Sequence, residues 1–310
     1  MQGFHGFKAP SRRLTLQNDG FEVELWPEIG GTVARFEART GQGTRPLFRP
    51  AQKGQETYFA TDTGCFPLFP YSNRIGHGRM AFEGKETQLA LNVADHPHAL
   101  HGVGWQRPWE IVKATATSAW LRLLHQSDAD WPYAFTAELD FQLVADGLTV
   151  TSSLKNDSDA PMPYGLGLHP YIKRPAGTKL YASVKGVWLT DDTVMPTSFA
   201  ATLPAAWNLP AGCPLDGVFM DNCFAGLEGA VRVAWPDGAN LTIAGGDKLR
   251  FLVVYNPPAE DYVCVEPVSH MTDAVNRFAA EGQATGFTVL APGARASCTH
   301  RFTYQGPQAA

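Results

Sequence analysis

Apolar and polar positions alternate along most of the chain. From Phe135 to Leu143, the residues Phe135, Ala137, Leu139, Phe141 and Leu143 share one parity. Thr136, Glu138, Asp140 and Gln142 share the other, which is the signature of a half-buried strand. Asp146-Gly147 follows, and Leu148, Val150, Ser152 and Leu154 resume the alternation, predicting a hairpin around an Asp-Gly turn. Further strands are expected over 21–26, 32–37, 119–125, 231–235, 241–244, 251–255, 262–265, 287–290 and 296–304. Turn-forming runs separate them: Asn18-Asp19-Gly20, Asp237-Gly238, Pro257-Pro258 and Pro292-Gly293. Helical signal is confined to 272–280. There Thr272 or Asp273 is a cap, Ala274, Val275 and Phe278 turn inward, and Gly282 is the stop. Many strands and one short helix predict an all-β antiparallel sandwich. No repeat or linker divides the chain, so one domain over residues 1–310 is expected. The stretch 196–214 reads as a loop.

Composition narrows the possible partners. Hydrophobic residues make up 44% of the 310 and charged ones 18%, a globular balance. Thirty Gly and 23 Pro, spread throughout, fit frequent turns. The net charge of −5 and the lack of any basic stripe argue against nucleic acid. No apolar run is long enough to span a bilayer, so no membrane partner is expected. The five cysteines (Cys65, Cys213, Cys223, Cys264, Cys298) are odd in number and have no C-x-x-C spacing. They read as reduced thiols. The N-terminal MQGFHGFKAPSRRLTL lacks the apolar core of a signal peptide, and a cytoplasmic location is expected.

Four segments concentrate ionisable groups beside turn residues. In FPLFPYSNRIGHGRM (66–80), Asn73, Arg74, His77 and Arg79 lie between aromatic-proline and glycine sequence. An arginine there has the fixed donor fork to hold a ligand's hydroxyl oxygens; otherwise it faces solvent. DHPHALHGVGW (95–105) carries His96, His98 and His101. Its H-x-H pair suggests a cupin-type metal site, but the candidate glutamate, Glu110, is poorly spaced and no metal is expected. His101 precedes Gly102-Val103-Gly104-Trp105, a flexible pair beside a tryptophan suited to a flat sugar face. In PYGLGLHPYIKRP (163–175), Gly165, Gly167 and His169 share one parity. Glycine on the histidine's face leaves room for a neighbour, and histidine titrates nearest neutral pH. In DYVCVEPVSH (261–270), Val263 and Val265 form one face and Tyr262, Cys264 and Glu266 the other. A carboxylate ending an apolar strand is costly to bury unless paired or used. Asp221, in FMDNCFAG, reads equally as part of an ordinary turn. The chain has no G-x-S-x-G, P-loop, H-E-x-x-H or dinucleotide fingerprint.

In this order the segments resemble the aldose 1-epimerase (galactose mutarotase) family. The matching elements are NRI at 73–75, LHG at 100–102, GLGLHPY at 165–171, MDNCF at 220–224, VEP at 265–267 with DAVN at 273–276, and the closing LAPGARAS. The resemblance implies a galactose mutarotase-like supersandwich with an open cleft. It also implies Glu266 as general base and His169 as general acid, with Arg74, Asn73, His101 and Asp221 as sugar-binding residues. Val268-Ser269-His270-Met271 differs from the small polar tripeptide of many members, and GVGW resembles a divergent branch. Both bear on which sugar is taken, not on the reaction.

Mutarotation needs only an acid and a base on two sugar oxygens, so neither cofactor nor metal is expected. Ionised Glu266 would take the anomeric proton, and protonated His169 would donate to the ring oxygen. That assignment predicts a bell-shaped pH profile. The expected partner is a monosaccharide, and the expected assembly is a monomer or weak homodimer. Two alternatives share the fold: a hexose-6-phosphate mutarotase, with Arg79, Lys173 and Arg174 holding phosphate, and a non-catalytic carbohydrate-binding sandwich.

Overall fold

The computed structural model describes residues 6–307; the first five residues of the N-terminal stretch read above lie outside them. Two large antiparallel sheets pack face to face. The first, 11-stranded, runs in the order Leu14–Gln17, Phe21–Trp26, Thr32–Thr40, Cys65–Leu68, Gly167–Lys173, Tyr262–Val268, Phe251–Asn256, Met220–Ala225, Gly186–Thr190, Pro196–Ala200. Gly43–Pro46 adds to Thr32–Thr40. The second, 9-stranded, runs Glu110–Ala114, Ser118–His125, Phe135–Val144, Gly147–Asn156, Arg295–Gln305, Asn240–Gly245, Glu228–Ala234, Lys179–Ser183, Cys213–Pro214. The predicted hairpin forms with Phe141 opposite Val150 and Val144 opposite Gly147. One parity of its strands is buried and the other is not, so the alternation is a record of one covered face.

The core between the sheets takes Phe36, Phe48, Leu121, Phe141, Val254, Val265 and Phe302, among others. Val263, Val265, Leu168 and Ile172 point into it. The opposite parity of the same strands faces away from the second sheet and joins a separate cluster with Phe66, Trp105, Tyr171, Cys223, Val253 and Cys264. This second face carries the candidate residues His169 and Glu266. It is covered in part by the excursion 69–106, which carries the small hairpin Arg79–Phe82/Lys85–Gln88, and by the helix Ala274–Glu281.

The helix begins two residues later than its sequence pattern suggests. Asp273 is the N-cap residue but makes no side-chain cap bond, because it sits at φ 58. Its carboxylate instead accepts from the Gly76 N–H (3.0 Å) and from Asn276 Nδ2 (2.7 Å). Asn276 also donates to Arg79 O and accepts from Ala81 N. The DAVN motif is thus a clamp between the helix and the segment 74–81. All five cysteines are buried and free. Among the described residues, no helix is long and apolar enough to cross a membrane.

Candidate active site

His169 and Glu266 sit on adjacent strands. The pairs Gly167–Val268 and Tyr171–Cys264 set a register that puts His169 opposite Glu266. Two side chains directly opposite on one face of an antiparallel pair must meet, and His169 Nε2 lies 3.3 Å from Glu266 Oε1. This cross-strand placement is how residues far apart in sequence form one site. Val253 is the next neighbour of Glu266, and Cys223 is the next beyond it. On the other side Phe66 pairs with His169, and their rings stack at 4.4 Å. Tyr171 packs on the same imidazole at 4.8 Å. Arg49, held by Thr61 and Thr63 carbonyls, lies 3.8 Å over the Tyr171 ring. The imidazole is therefore held on both sides.

Glu266 is 1% exposed and His169 8%. Glu266 Oε2 and His169 Nδ1 are buried with no partner, which is costly for groups with no task. Burial disfavours both charged forms. It raises the Glu266 carboxyl well above its usual range, with the Asp221 charge adding to it and Arg74 opposing. It pushes His169 down to about 3. Burial thus favours a protonated carboxyl beside a neutral imidazole, whereas the sequence reading has ionised Glu266 and protonated His169. The two descriptions hold the same single proton and differ only in which side of the 3.3 Å contact carries it.

The remaining site residues assemble around this pair. Arg74 Nη2 binds Asp221 Oδ2 at 3.1 Å, and Nη1 donates to Asn73 Oδ1 at 2.9 Å. The Arg74 and Asp221 side chains keep 12% and 15% exposure, so the cluster reaches solvent through them. Asp221 lies in strand Met220–Ala225, opposite Tyr255, not in a turn. Burial raises its carboxyl, and Arg74 opposes the shift. Asn73 and His101 both adopt the left-handed region, at φ 59 each. Their backbones bond to one another: His101 N donates to Asn73 O, and Asn73 N donates to His101 Nδ1 at 3.1 Å. The latter fixes the tautomer that carries the proton on Nε2. Burial, together with the Arg74 charge, holds His101 well below the usual imidazole range. Its ring meets His169 edge-on at 5.3 Å.

Three local readings from sequence are corrected. Gly102 and Gly104 do not offer backbone to a ligand. A Cβ on Gly102 would meet Phe69 O at 2.0 Å and one on Gly104 would meet Phe69 Cβ at 2.9 Å, so both glycines serve close chain packing. Trp105 is 3% exposed and lies behind Phe66. The space beside Gly165 and Gly167 is filled by His270 and Val268. His270, missed in the sequence, accepts from Ser72 N (3.2 Å) and donates to Met271 O (2.7 Å), pinning the turn that leads into Asn73. Arg49 and Phe66 were also missed, since their role arises only from strand pairing.

The H-x-H pair does not meet Glu110, which lies on the edge strand of the second sheet paired with Arg122. Among the described residues, one group brings three potential metal ligands together: His169, Cys264 and Glu266, within 4.8 Å of one another.

The fold is a two-sheet antiparallel β-sandwich of the galactose mutarotase-like kind, with His169 buried against Glu266 and an Arg74–Asp221 pair beside them. The chain belongs to the aldose 1-epimerase family: the family model described as "Aldose 1-epimerase" matches residues 12–303. It is 33% identical over 271 residues to the Escherichia coli K12 protein named "Uncharacterized protein YphB", covering 85% of this chain and 90% of that one. Its fold is similar to the crystal structure of an E. coli K12 protein named "Putative aldose 1-epimerase". The TM-score is 0.85 at 29% identity, over 95% of this chain and 99% of that one. A galactose mutarotase-like protein from Clostridium acetobutylicum shares the fold at TM-score 0.82 and 20% identity, over 94% and 95% of the two chains.

Proposed function

We propose that the chain is a mutarotase of free sugars, in which Glu266 and His169 open and reclose a pyranose ring. The observation that carries this reading is the 3.3 Å contact between two buried, otherwise unpartnered groups. Such a pair can accept one proton and deliver another, and ring opening requires only that. Glu266 takes the proton of the anomeric hydroxyl as His169 gives one to the ring oxygen. The C1–O5 bond breaks to the open aldehyde, C1–C2 rotates, and the steps reverse to close the other anomer. For this direction the shared proton first crosses from Glu266 to His169, a move the polar atoms of a bound sugar favour. Arg74, Asn73, Asp221 and His101 Nε2–H supply hydrogen-bonding groups of both kinds around the ring.

The sugar-phosphate alternative loses two of its three cations. Lys173 pairs with Asp261. Arg174 is buried and spends its donors on the carbonyls of Tyr262, Pro257, Pro258 and Glu260. A non-catalytic binding module has no need of a desolvated acid–base pair.

Polarimetry on freshly dissolved α-galactose and α-glucose tests the reading. The protein should speed equilibration, and Glu266→Gln should lower kcat by about 10²–10⁴-fold, the usual worth of a positioned proton transfer. A variant that turns over at the wild-type rate removes Glu266 from the mechanism.

A further inference from the structure

One group beside the acid–base pair has no part in the mechanism above. Cys264 lies two residues before Glu266 on strand Tyr262–Val268, so both side chains leave the sheet on the same face. His169 is opposite Glu266 and therefore diagonal to Cys264, within the reach of such neighbours. As a result, one ligand atom from each of His169, Cys264 and Glu266 lies within 4.8 Å of the other two. We infer that these three side chains form a binding site for one zinc-type divalent cation, whose binding stops proton transfer by the pair. The site itself stands on geometry. That its occupation inhibits a reaction rests on the proposed mutarotase reading.

Zinc holds imidazole nitrogen and carboxylate oxygen at about 2.0–2.2 Å and thiolate sulfur at about 2.3 Å, in a tetrahedron that sets the donors about 3.5 Å apart. His169 Nε2 and Glu266 Oε1, at 3.3 Å, already have that spacing. A shift of about an ångström within the group brings in the sulfur. One sulfur, one nitrogen and one oxygen suit zinc and softer metals, whereas magnesium and calcium take oxygen ligands in greater number. Three protein ligands leave a fourth position. A water or a sugar oxygen can fill it from the side where Arg74 and Asp221 reach solvent.

Two further observations point to a ligand here. Glu266 is 1% exposed, yet its Oε2 has no partner. The Cys65 and Cys223 thiols contact the carbonyls of Phe66 and Phe224, whereas Cys264, fully buried, makes no such contact among the described residues. A buried polar group without a partner calls for one, and a shared cation would satisfy carboxylate and thiolate together. The charge also balances. Metal ligands must be deprotonated, so the thiol releases its proton and the Glu266–His169 pair releases the one it holds. A cation of charge two enters as two protons leave, and the buried site gains no net charge, which would be costly there.

Cadmium titration, followed by the ultraviolet absorption of a cadmium–thiolate bond, reads the site, and polarimetry with Zn²⁺ or Cd²⁺ reads its effect. One equivalent of Cd²⁺ should produce the band, either metal should suppress mutarotation, and a chelator should restore it. In Cys264→Ser and Cys264→Ala, mutarotation without metal should stay near the wild-type rate, which also shows that the variants fold. The band should be lost in both, and half-inhibition should need at least about 100-fold more metal, since even partners that only orient a metal's ligands are worth about 10–100-fold. Glu266→Gln, which keeps the thiol, should need at least about tenfold more Cd²⁺ to give the band. No band in the wild-type protein, or one that the Glu266 or Cys264 substitutions leave unchanged, overturns the site. So does inhibition that survives in the Cys264 variants, which places the metal elsewhere, as on the His77–His98 pair with rings 4.9 Å apart. If the wild-type protein speeds no sugar, the mutarotase reading fails, while the cadmium band still decides the site.

Discussion

A carboxyl and an imidazole in water would titrate near 4.5 and 6.5, and a pair with those values would be active only in the narrow interval between them. Burial moves the two apart in the opposite sense. His169 accepts a second proton only as the pH falls to about 3, while Glu266 gives up the last one only well above the ordinary carboxylate range. Between those limits the pair holds one proton, and its two steps belong to the pair rather than to either residue. The expected kcat/KM is therefore flat through the interval between pH 4.5 and 6.5, without limbs at either value, since that profile reports the free protein's essential acid and base. A bell with limbs near 4.5 and 6.5 would restore the ionised assignment. At this scale the sequence was informative about identity. Side-chain parity along 165–169 and 262–266 separated the site face from the core face, and both choices agree with the structure. Its protonation assignment took no account of burial, because burial is set by the loops and helix that cover the sheet. It also misjudged the glycines, whose space is taken by neighbours from other segments.

Some strands that carry the site are hard to recognise for a physical reason. Cys65–Leu68 is buried on both faces, one by the second sheet and one by the covering segments, so alternation disappears; Tyr262–Val268 is equally buried, but its 262–265 part was legible in its apolar run. Met220–Ala225, buried at four of its six positions, is the same case, which is why the residue pattern left a turn open at Asp221 while the family resemblance made it a sugar-binding residue. The second sheet, with one face open, was readable in Ser118–His125, Phe135–Val144 and Gly147–Asn156 almost to the residue. The covering segments are fixed by single contacts, and the Gly165–His270 contact is the tightest: a Cβ on Gly165 would lie 1.9 Å from His270 Cδ2. Gly165→Ala should destabilise by about 1–3 kcal/mol through overpacking. His270→Ala should cost a similar amount by leaving Ser72 N–H and Met271 O without their partner. Together the two should cost at least about 1 kcal/mol less than their sum, because the second removes the clash created by the first. Urea denaturation of the four proteins measures this coupling; additivity would mean that the chain relieves the clash by moving elsewhere.

The two sheets are coupled mainly by apolar packing, and among the polar side chains that also link them one lies at a telling place. His300, on strand Arg295–Gln305 and fully buried, donates from Nε2 to Pro267 O at 2.8 Å, the carbonyl directly after Glu266. Its Nδ1 is buried with no partner, so the folded protein has no place for a second proton on the ring. Burial lowers it to about 4, with the Pro267 contact opposing the shift. An unfolded chain binds that proton near pH 6.5. The unfolded state therefore holds more protons on this group between about 6.5 and 4. Stability from keeping it neutral is full above 6.5 and is lost as pH falls towards 4. The loss from this one residue is on the order of 3 kcal/mol over that window. His101, His169 and His270 are shifted in the same direction by burial, whereas Glu266, Asp221 and Asp273, shifted upward, act in the opposite sense. A single substitution isolates one contribution from this sum. Glutamine at 300 can keep a donor to Pro267 O but cannot take up a proton. His300→Gln should reduce the slope of unfolding free energy against pH, between about 4.5 and 6, by up to one proton, about 1.4 kcal/mol per pH unit at most. Urea titrations of both proteins at several pH values in that range measure it. Parallel slopes would show that His300 is already protonated in the fold, and that the link between the second sheet and the strand of Glu266 is ionic rather than neutral.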